Sequence, residues 1–279
     1  MSGGIRDLRD RQGFPDLVEA AFVLVGLLTL EQFIGFVLFY AVAPFQAGDP
    51  ATIGVAAVMG IGITTSCLLH YKGMQYREVF HFSGGSGWRV VAITAGPLVI
   101  TCAGLVLVTA AVGETVQTLV PMSEFFQRMF AQMTAGSAPS LLLLVLIAPT
   151  MEELLCRGVF LRSFLTQYSA EKAVVAASVL FALVHLNIYQ IPLAFVFGLL
   201  SGWLFVQTAS LWPSILAHAL VNALGLLTPR AKALVDGCRG WQSAVPLSTI
   251  AFPVGGGLLL YGGVLTLAWA LRRAQAARA

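Results

Sequence analysis

Apolar residues fall in long blocks along the chain, and short polar stretches separate them. Most of these blocks are close to the length of about 20 residues that an α-helix needs to cross the hydrocarbon core of a bilayer. The spans lie near residues 18–43, 51–70, 90–112, 140–165, 171–187, 190–208, 211–228 and 247–271. The pattern therefore predicts an all-α fold, a polytopic transmembrane helix bundle of about eight spans.

One stretch between the third and fourth blocks has a periodic apolar face of its own. Its apolar residues recur three and four positions apart, as along one face of an α-helix, and polar residues lie opposite them. The apolar face consists of Met122, Phe125, Phe126, Met129, Phe130 and Met133. We predict an interfacial amphipathic helix over 122–133. Two interpretations stay open: a lid or lateral gate beside an active site, or a helix that simply lies on the membrane or the bundle.

Composition supports a membrane protein. The 279 residues include 16 Lys and Arg and 13 Asp and Glu, so charged residues make up 10% of the chain, against about 25% in soluble domains. Hydrophobic residues make up 58%, and the mean hydropathy is +0.85. Such a chain has too few charges for a soluble surface or for binding nucleic acid. We expect a single integral-membrane domain over 1–279, with the lipid bilayer as a partner and no nucleic acid.

Basic residues concentrate on one side of the predicted bundle. They are Arg6, Arg9, Arg11, Lys72, Arg77, Arg89, Arg162, Lys172, Arg272, Arg273 and Arg278. The positive-inside rule makes that side cytoplasmic, so we expect both termini in the cytoplasm. We also expect a bacterial inner (plasma) membrane. The predicted loop 229–246 contradicts the rule, because Arg230, Lys232 and Arg239 lie on the opposite side. Either this loop is an exception or one boundary is wrong.

The few ionisable residues inside the spans are candidates for chemistry, because a charge at mid-bilayer costs at least about 2.5 to 3.5 kcal/mol. The fourth span contains Glu152, Glu153 and Arg157 shortly after Pro149. Pro149 lacks an amide hydrogen, so we expect a kink and an exposed backbone carbonyl there. Glu153 and Arg157 are four residues apart and pair favourably, whereas Glu152 points about 100° away. Glu152 is left unpaired, which suits a general base.

Two further spans carry a histidine. His185 follows Phe181 by four residues in FALVH, and His218 precedes Asn222 by four in HALVN. This spacing places each pair on one helical face. Hydrolysis by activated water needs such a set, because a carboxylate and an imidazole can hold and deprotonate water while a second imidazole and a carboxamide stabilise the oxyanion. No covalent nucleophile is required, and the G-x-S-x-G pattern of serine hydrolases is absent.

On these residues the chain resembles the CPBP family of CAAX proteases and bacteriocin-processing enzymes, also known as Abi. Membrane peptidases of that family carry EExxxR, FxxxH and HxxxN/D motifs on successive helices, and these stand here in order as EELLCR, FALVH and HALVN. The resemblance covers about residues 139–228, the predicted catalytic core. It implies a glutamate-type intramembrane endopeptidase that cleaves a membrane-anchored or lipidated protein or peptide, similar to type II CAAX prenyl endopeptidases.

The resemblance also implies a role for each motif residue, without a cofactor. Glu152 would be the general base that activates water, and His185 would help to hold that water. His218 and Asn222 would form the oxyanion hole. The supporting residues would be Glu153, Arg157 and Phe181.

Three alternatives stay open. Two histidines and a carboxylate are also a common ligand set for zinc, although H-E-x-x-H is absent and asparagine is a poor zinc ligand. Chains of glutamate and histidine also mark ion pathways in transporters, although no internal repeat relates the two halves of this sequence. A non-catalytic binding or scaffold protein is the third alternative, because retaining the motifs does not by itself establish activity.

Two other features inside the spans are interpreted structurally. Gly198 and Gly202 form a GxxxG step, which predicts close packing of a neighbouring helix. Glu31 lies in the middle of the first span. We favour a buried, hydrogen-bonded role for Glu31 over a catalytic one.

Overall fold

The structure is a computed structural model that describes residues 13–42, 50–81, 87–135, 141–237 and 248–276. Within these ranges the chain is almost entirely helical, and the β-type pairing is a single bridge between His81 and Ser210. The helices are α1 (Leu17–Ala41), α2 (Pro50–Tyr71), α3 (Tyr76–Phe80), α4 (Gly87–Leu119), α5 (Glu124–Ala135), α6 (143–167), α7 (Ala170–Val184), α8 (Ile191–Thr208), α9 (Trp212–Gly237) and α10 (Ser248–Ala276). The predicted all-α membrane bundle is confirmed.

Several helices are suited to crossing a bilayer. Those that are long and apolar enough are Leu17–Ala41, Ala51–Tyr71, Gly87–Leu119, Ile191–Thr208 and Thr249–Gln275. The other three predicted spans correspond to α6, α7 and α9, which carry the three polar motifs. The chain is therefore an integral membrane protein, and the count of eight spans stays a prediction.

The helix α9 is longer than the sequence pattern indicates. It runs through Pro229 to Gly237, so the predicted boundary at residue 228 is wrong and the supposed loop 229–246 begins as helix. A proline usually marks the end of a helix, which explains the error. Lys232 on this extension forms an ion pair with Glu114 of α4. Arg239 lies outside the described residues.

Contacts between distant segments define two ends of the bundle. At one end Arg162 of α6 donates from Nη1 to the carbonyl of Glu78 in α3, at 2.8 Å. At the other end the Tyr189 hydroxyl donates to the carbonyls of Val120 and Pro121, both at 3.2 Å. The first end also holds the described basic residues on which the orientation prediction rests. Arg6, Arg9, Arg11 and Arg278 lie outside the described residues.

The helices α4 and α10 pack with their backbones almost in contact. A Cβ atom added to Gly104 would lie 2.2 Å from the Leu260 backbone nitrogen, and one added to Gly263 would lie 2.5 Å from Thr101 Oγ1. Only glycine fits at such distances, and small residues allow this close approach between membrane helices. We refer to the contact at Gly104 and Gly263 as the glycine seam.

The amphipathic segment forms a helix, α5, close to the predicted bounds. Glu124 and Arg128 form an ion pair of 2.7 Å on its exposed side. The Phe126 ring lies 6.2 Å from the Tyr189 ring, centroid to centroid, which places α5 beside the loop between α7 and α8. The side chains of Met129, Phe130 and Met133 lie outside the described residues. Both interpretations of this helix, a lid or lateral gate and a helix that simply lies on the membrane or the bundle, stay predictions.

Candidate active site

The helix α6 changes its hydrogen-bonding register along its length. It consists of a π-helical turn Leu143–Ile147, an α-helical segment Ala148–Glu153, a π-helical segment Leu154–Leu161 and an α-helical segment Arg162–Gln167. Insertions of π-helix into α-helices are frequent at functional sites. Glu152 and Glu153 end the α-helical segment that lies between the two π-helical ones. The apolar pattern predicts this helix but not its changes of register.

The first π-helical turn leaves one backbone carbonyl without a helical donor. Ala148 donates its amide hydrogen to the carbonyl of Leu143, so in the same register the next residue, Pro149, would donate to Leu144. Proline has no amide hydrogen. Instead, Asn222 of α9 donates from Nδ2 to the Leu144 carbonyl at 2.9 Å. The exposed carbonyl expected from Pro149 is present, and the third motif binds it.

Glu153 and Arg157 form a buried ion pair. Oε1 of Glu153 lies 2.9 Å from Nη1 of Arg157, and neither side chain is more than 1% exposed. Ser201 of α8 donates to the other carboxylate oxygen at 2.6 Å, and Arg157 donates from Nη2 to the Gly198 carbonyl at 3.1 Å. A desolvated ion pair needs such additional hydrogen bonds to be stable. The predicted pairing of Glu153 with Arg157 is present.

His218 lies between the two glutamates. Its Nδ1 atom is 2.9 Å from Glu153 Oε1, and its Nε2 atom is 3.8 Å from Glu152 Oε2. A carboxylate at Nδ1 holds a proton there and fixes the orientation of the ring. Nε2 is then an acceptor in the neutral imidazole and a donor in the protonated one. The bond to Glu153 thus orients Nε2 of His218 toward Glu152.

Glu152 differs from its neighbour in exposure and in partners. Its side chain is 23% exposed, whereas that of Glu153 is fully buried. Among the residues that the structure describes, none donates a hydrogen bond to Glu152 Oε2. The 3.8 Å to His218 Nε2 is longer than a direct hydrogen bond and suits two groups that contact one water molecule.

The ring of Phe181 contacts residues of all three motifs. The Arg157 guanidinium carbon lies 4.6 Å from the ring centroid, which is a cation–π contact. The rings of His185 and His218 approach Phe181 edge-on at 5.0 Å and 5.6 Å. Phe181 is only 1% exposed. Its buried ring therefore joins the site residues of α6, α7 and α9.

His185 lies at the carboxyl end of α7. Its Nδ1 atom is 2.9 Å from the Phe181 carbonyl, so Nδ1 carries the hydrogen and Nε2 is an acceptor. Leu186 has a φ of 48°, a conformation that residues with side chains seldom adopt. Asn187 then accepts a hydrogen bond from the Tyr189 amide at 3.0 Å. Local hydrogen bonds therefore fix the loop that begins at His185.

The predicted site residues form one cluster, with Asn222 at its edge. The residues joined by direct contacts are Glu152, Glu153, Arg157, Phe181, His185 and His218. Asn222 follows His218 by one helical turn, and one of its two amide hydrogens is used at the Leu144 carbonyl. Within the described residues the other hydrogen is free to serve a second acceptor.

Two polar groups of the site, the Ser201 hydroxyl and the Gly198 carbonyl, were not predicted from the sequence. Ser201 lies between Gly198 and Gly202 on α8, and its position as a lone hydroxyl inside a GxxxG step was the available signal. The packing predicted for this step is present, because a Cβ on Gly198 would lie 2.9 Å from the Ser178 side chain. In addition, the step supplies a carbonyl and a hydroxyl to the buried ion pair.

The zinc alternative stays a prediction. Structural and catalytic zinc ions need three or four converging ligands. In the described part of the chain, no group of three or more His, Cys, Asp or Glu side chains is placed to hold a metal ion. Glu153 Oε1 and Nδ1 of His218 are bonded to each other, which leaves Nε2 of His218 for any other partner.

A comparison with protein families identifies the region that contains these residues. The family model described as Type II CAAX prenyl endopeptidase Rce1-like matches residues 134–224, which include all three motifs. This segment belongs to the CPBP family. The match implies a hydrolase of the membrane-protease class. The helices α1 to α4 lie outside the matched segment, and no curated protein and no solved structure matches the chain.

Proposed function

We propose that the chain is an intramembrane endopeptidase that cleaves a peptide bond of a membrane-associated protein or peptide with a water molecule activated by Glu152. One observation carries the proposal: the side chain of Glu152 is partly exposed, and its buried Oε2 atom, which has no hydrogen-bond partner in the described part of the chain, lies 3.8 Å from Nε2 of His218. A general base needs access to water and a position close to the groups that share its proton. Glu152 meets both needs, whereas the fully buried side chain of Glu153 has no access to water.

The first step is attack by water on the scissile carbonyl. His185 helps to hold the water through Nε2, which accepts a hydrogen bond because Nδ1 is engaged with the Phe181 carbonyl. Glu152 takes one proton from this water. The water oxygen bonds to the carbonyl carbon, and the carbonyl electron pair moves onto its oxygen to form a tetrahedral oxyanion.

The second step depends on the two donors of the third motif. His218 in its protonated form donates from Nε2 to the oxyanion, and Glu153 stabilises its positive charge through Nδ1. Asn222 donates its second amide hydrogen. The proton held by Glu152 passes to the leaving nitrogen, the C–N bond breaks, and the products are a carboxylic acid and an amine. Loss of one oxyanion donor lowers kcat by about 10²- to 10³-fold in other hydrolases.

The substrate class follows from the setting of the site. The motif helices lie in a bundle of membrane helices, and the matched family model is named for prenyl endopeptidases. We therefore propose a membrane-anchored or lipidated substrate and take a prenylated CAAX peptide as the first probe. The end of the bundle that carries Lys72 and Arg162 is proposed to face the cytoplasm of a bacterial cell, with both termini there. A reporter that functions only in the cytoplasm, fused after residue 279, tests this orientation and should be active.

The test compares cleavage by the wild-type protein and by Glu152→Gln, which keeps the size of the side chain and removes its basicity. The probes are a farnesylated CAAX peptide and the same peptide without the lipid, in nanodiscs. We expect the variant to be at least about 100-fold slower. The matched control Glu171→Gln, at an exposed glutamate of α7, should cleave at the wild-type rate.

Each contrary outcome has a distinct meaning. Cleavage that survives Glu152→Gln contradicts the catalytic assignment. Loss of wild-type activity on chelation, restored by zinc, supports the metal alternative in place of the mechanism above. Failure of the wild-type protein to cleave either peptide contradicts the proposed CAAX substrate class.

A further inference from the structure

Buried polar side chains are almost always hydrogen-bonded, and Asn187 departs from this rule. The residue is 4% exposed, and its Nδ2 atom, which carries two hydrogens, has no hydrogen-bond partner in the described part of the chain. A buried donor without an acceptor costs stability. Glu31 of α1 also makes no hydrogen bond within the described ranges, so its expected hydrogen-bonded role is not observed, but Glu31 is only half-buried. The unpartnered donor of Asn187 therefore needs an explanation.

The carboxamide of Asn187 is held in one orientation. Its Oδ1 atom accepts a hydrogen bond from the Tyr189 amide at 3.0 Å, which also fixes the direction of Nδ2. The residues on either side point outward, because Leu186 is 68% exposed and Ile188 is 52% exposed. Of these three consecutive residues, Asn187 is the one whose side chain lies inside the bundle.

Asn187 lies beside the candidate active site. It follows His185 by two residues, so their Cα atoms are less than about 8 Å apart. The Asn187 carbonyl accepts a hydrogen bond from the Ile191 amide at 3.0 Å, and Ile191 packs against the buried cluster that contains Phe181. The Phe181 ring in turn contacts both His185 and His218. An extended peptide advances about 3.3 to 3.6 Å per residue, so a peptide cleaved next to His185 brings neighbouring carbonyls to the region of Asn187.

A bound peptide supplies the acceptor that Asn187 lacks. Backbone carbonyls of the substrate lose their water when they enter the site, and each then needs a donor from the protein. The donors of the third motif, His218 and Asn222, are assigned to the oxyanion. In the described part of the site the other unpartnered donor is Nε of Arg157, and the guanidinium of Arg157 is covered by the Phe181 ring at 4.6 Å. Asn187 is the donor that remains for a neighbouring carbonyl.

We propose that Asn187 is a substrate-binding residue, whose Nδ2 atom donates to a backbone carbonyl next to the scissile bond and so holds the peptide in place at Glu152. The inference rests on the proposed function, because it takes a peptide as the substrate. Since Nδ2 is buried, the loop that begins at His185 must move slightly to admit the peptide. Leu186 in this loop has a φ of 48°, and such strained backbone is frequent where a protein clamps a ligand.

The first test separates KM from kcat for cleavage of the farnesylated peptide in nanodiscs. Asn187→Asp keeps the size of the side chain and the acceptor for the Tyr189 amide, but it removes the donor. We expect KM to rise about tenfold and kcat to stay within about twofold of the wild-type value, because the lost bond is made equally in the bound substrate and in the transition state. The matched control is Ser163→Ala, which removes another buried, unpartnered polar atom, on α6 beyond Arg157. Its KM and kcat should be those of the wild-type protein.

The second test identifies the acceptor. In a set of farnesylated peptides, one backbone carbonyl at a time on either side of the scissile bond is replaced by a methylene group. One of these replacements should raise KM about tenfold in the wild-type protein and should have no further effect in Asn187→Asp, because the two changes remove the same hydrogen bond. Asn187→Ala also removes the donor and takes the place of Asn187→Asp if that variant does not fold.

Three outcomes overturn the inference. The first is a wild-type scan in which no replacement raises KM, and this outcome does not depend on the folding of any variant. The second is a replacement whose effect on KM multiplies with that of the Asn187 variant, which is the signature of a structural role. The third is a variant with a reduced kcat and the wild-type KM.

Glu152→Gln in the same assay separates this inference from the proposed function. If Glu152→Gln is active, the proposed mechanism fails, and the KM values still test Asn187. If Glu152→Gln is inactive and Asn187→Asp has the wild-type KM, only the role of Asn187 fails.

Discussion

The glycine seam and the buried polar cluster join helices of the same bundle in different ways. At the seam, α4 and α10 approach until a Cβ on Gly104 would lie 2.2 Å from a backbone nitrogen. In the cluster, Glu153 of α6 binds His218 of α9 and Ser201 of α8. The first contact depends on the absence of side chains, and the second depends on charged and polar ones.

The difference shows which parts of a membrane bundle hold it together and which also do chemistry. Lipid tails are as apolar as leucine, so apolar helices associate mainly through close packing, as at the seam. A buried ion pair is a costly way to join helices. Its presence next to Glu152 and His218 is explained by its second task, which is to orient the imidazole.

The largest expected effect comes from breaking the ion pair. Arg157→Ala leaves the Glu153 charge buried without its partner, and we expect a loss of about 3 to 5 kcal/mol of unfolding free energy. Unfolding by SDS titration in mixed micelles measures it. The control is Arg128→Ala, which breaks a pair with Glu124 at the same spacing on an exposed surface and should cost about 0.2 to 1 kcal/mol. Equal losses in the two variants would contradict the structural difference between the pairs.

A smaller effect is expected from the hydroxyl that supports Glu153. Ser201→Ala removes a hydrogen bond to a buried carboxylate and should cost about 1.5 to 3 kcal/mol. It should also lower kcat, because the freed carboxylate holds His218 less rigidly. Ser178→Ala is the control, since that buried hydroxyl donates to the Val174 carbonyl of its own helix at 2.6 Å, and its kcat should stay at the wild-type value. A Ser201→Ala variant with wild-type stability and kcat contradicts the prediction.

The smallest effect is expected at the seam, and it should be confined to stability. Gly104→Ala forces the α4 and α10 backbones apart, which should cost about 1 to 3 kcal/mol. Gly113→Ala on the same helix meets no atom within 4 Å and should leave stability unchanged or raise it, because alanine favours helix. Activity per folded molecule should equal the wild-type value in both variants. A reduced kcat in Gly104→Ala would link the seam to the site.

Helical spacing predicted the pairing of Glu153 with Arg157 correctly. The four residues between Glu153 and Arg157 predict their pairing, and the same spacing in FALVH and HALVN places the motif residues on inward faces. Such predictions succeed because they depend only on contacts within one helix.

Contacts between helices were harder to predict from the sequence. Ser201 joins the cluster through the packing of α8 on α6, and Lys232 meets Glu114 because α9 continues past Pro229. None of these contacts has a fixed spacing along the chain, so periodicity does not reveal them.

Pro149 removes a backbone donor that would compete with Asn222 for one hydrogen-bond acceptor. Any other residue at position 149 would bring an amide hydrogen that could bind the Leu144 carbonyl, which Asn222 now binds at 2.9 Å. The proline thus reserves that oxygen for a side chain from another helix. Two positions 73 residues apart are therefore coupled through the carbonyl oxygen of a third residue. A substitution at one of them changes which side chains the other position can accept.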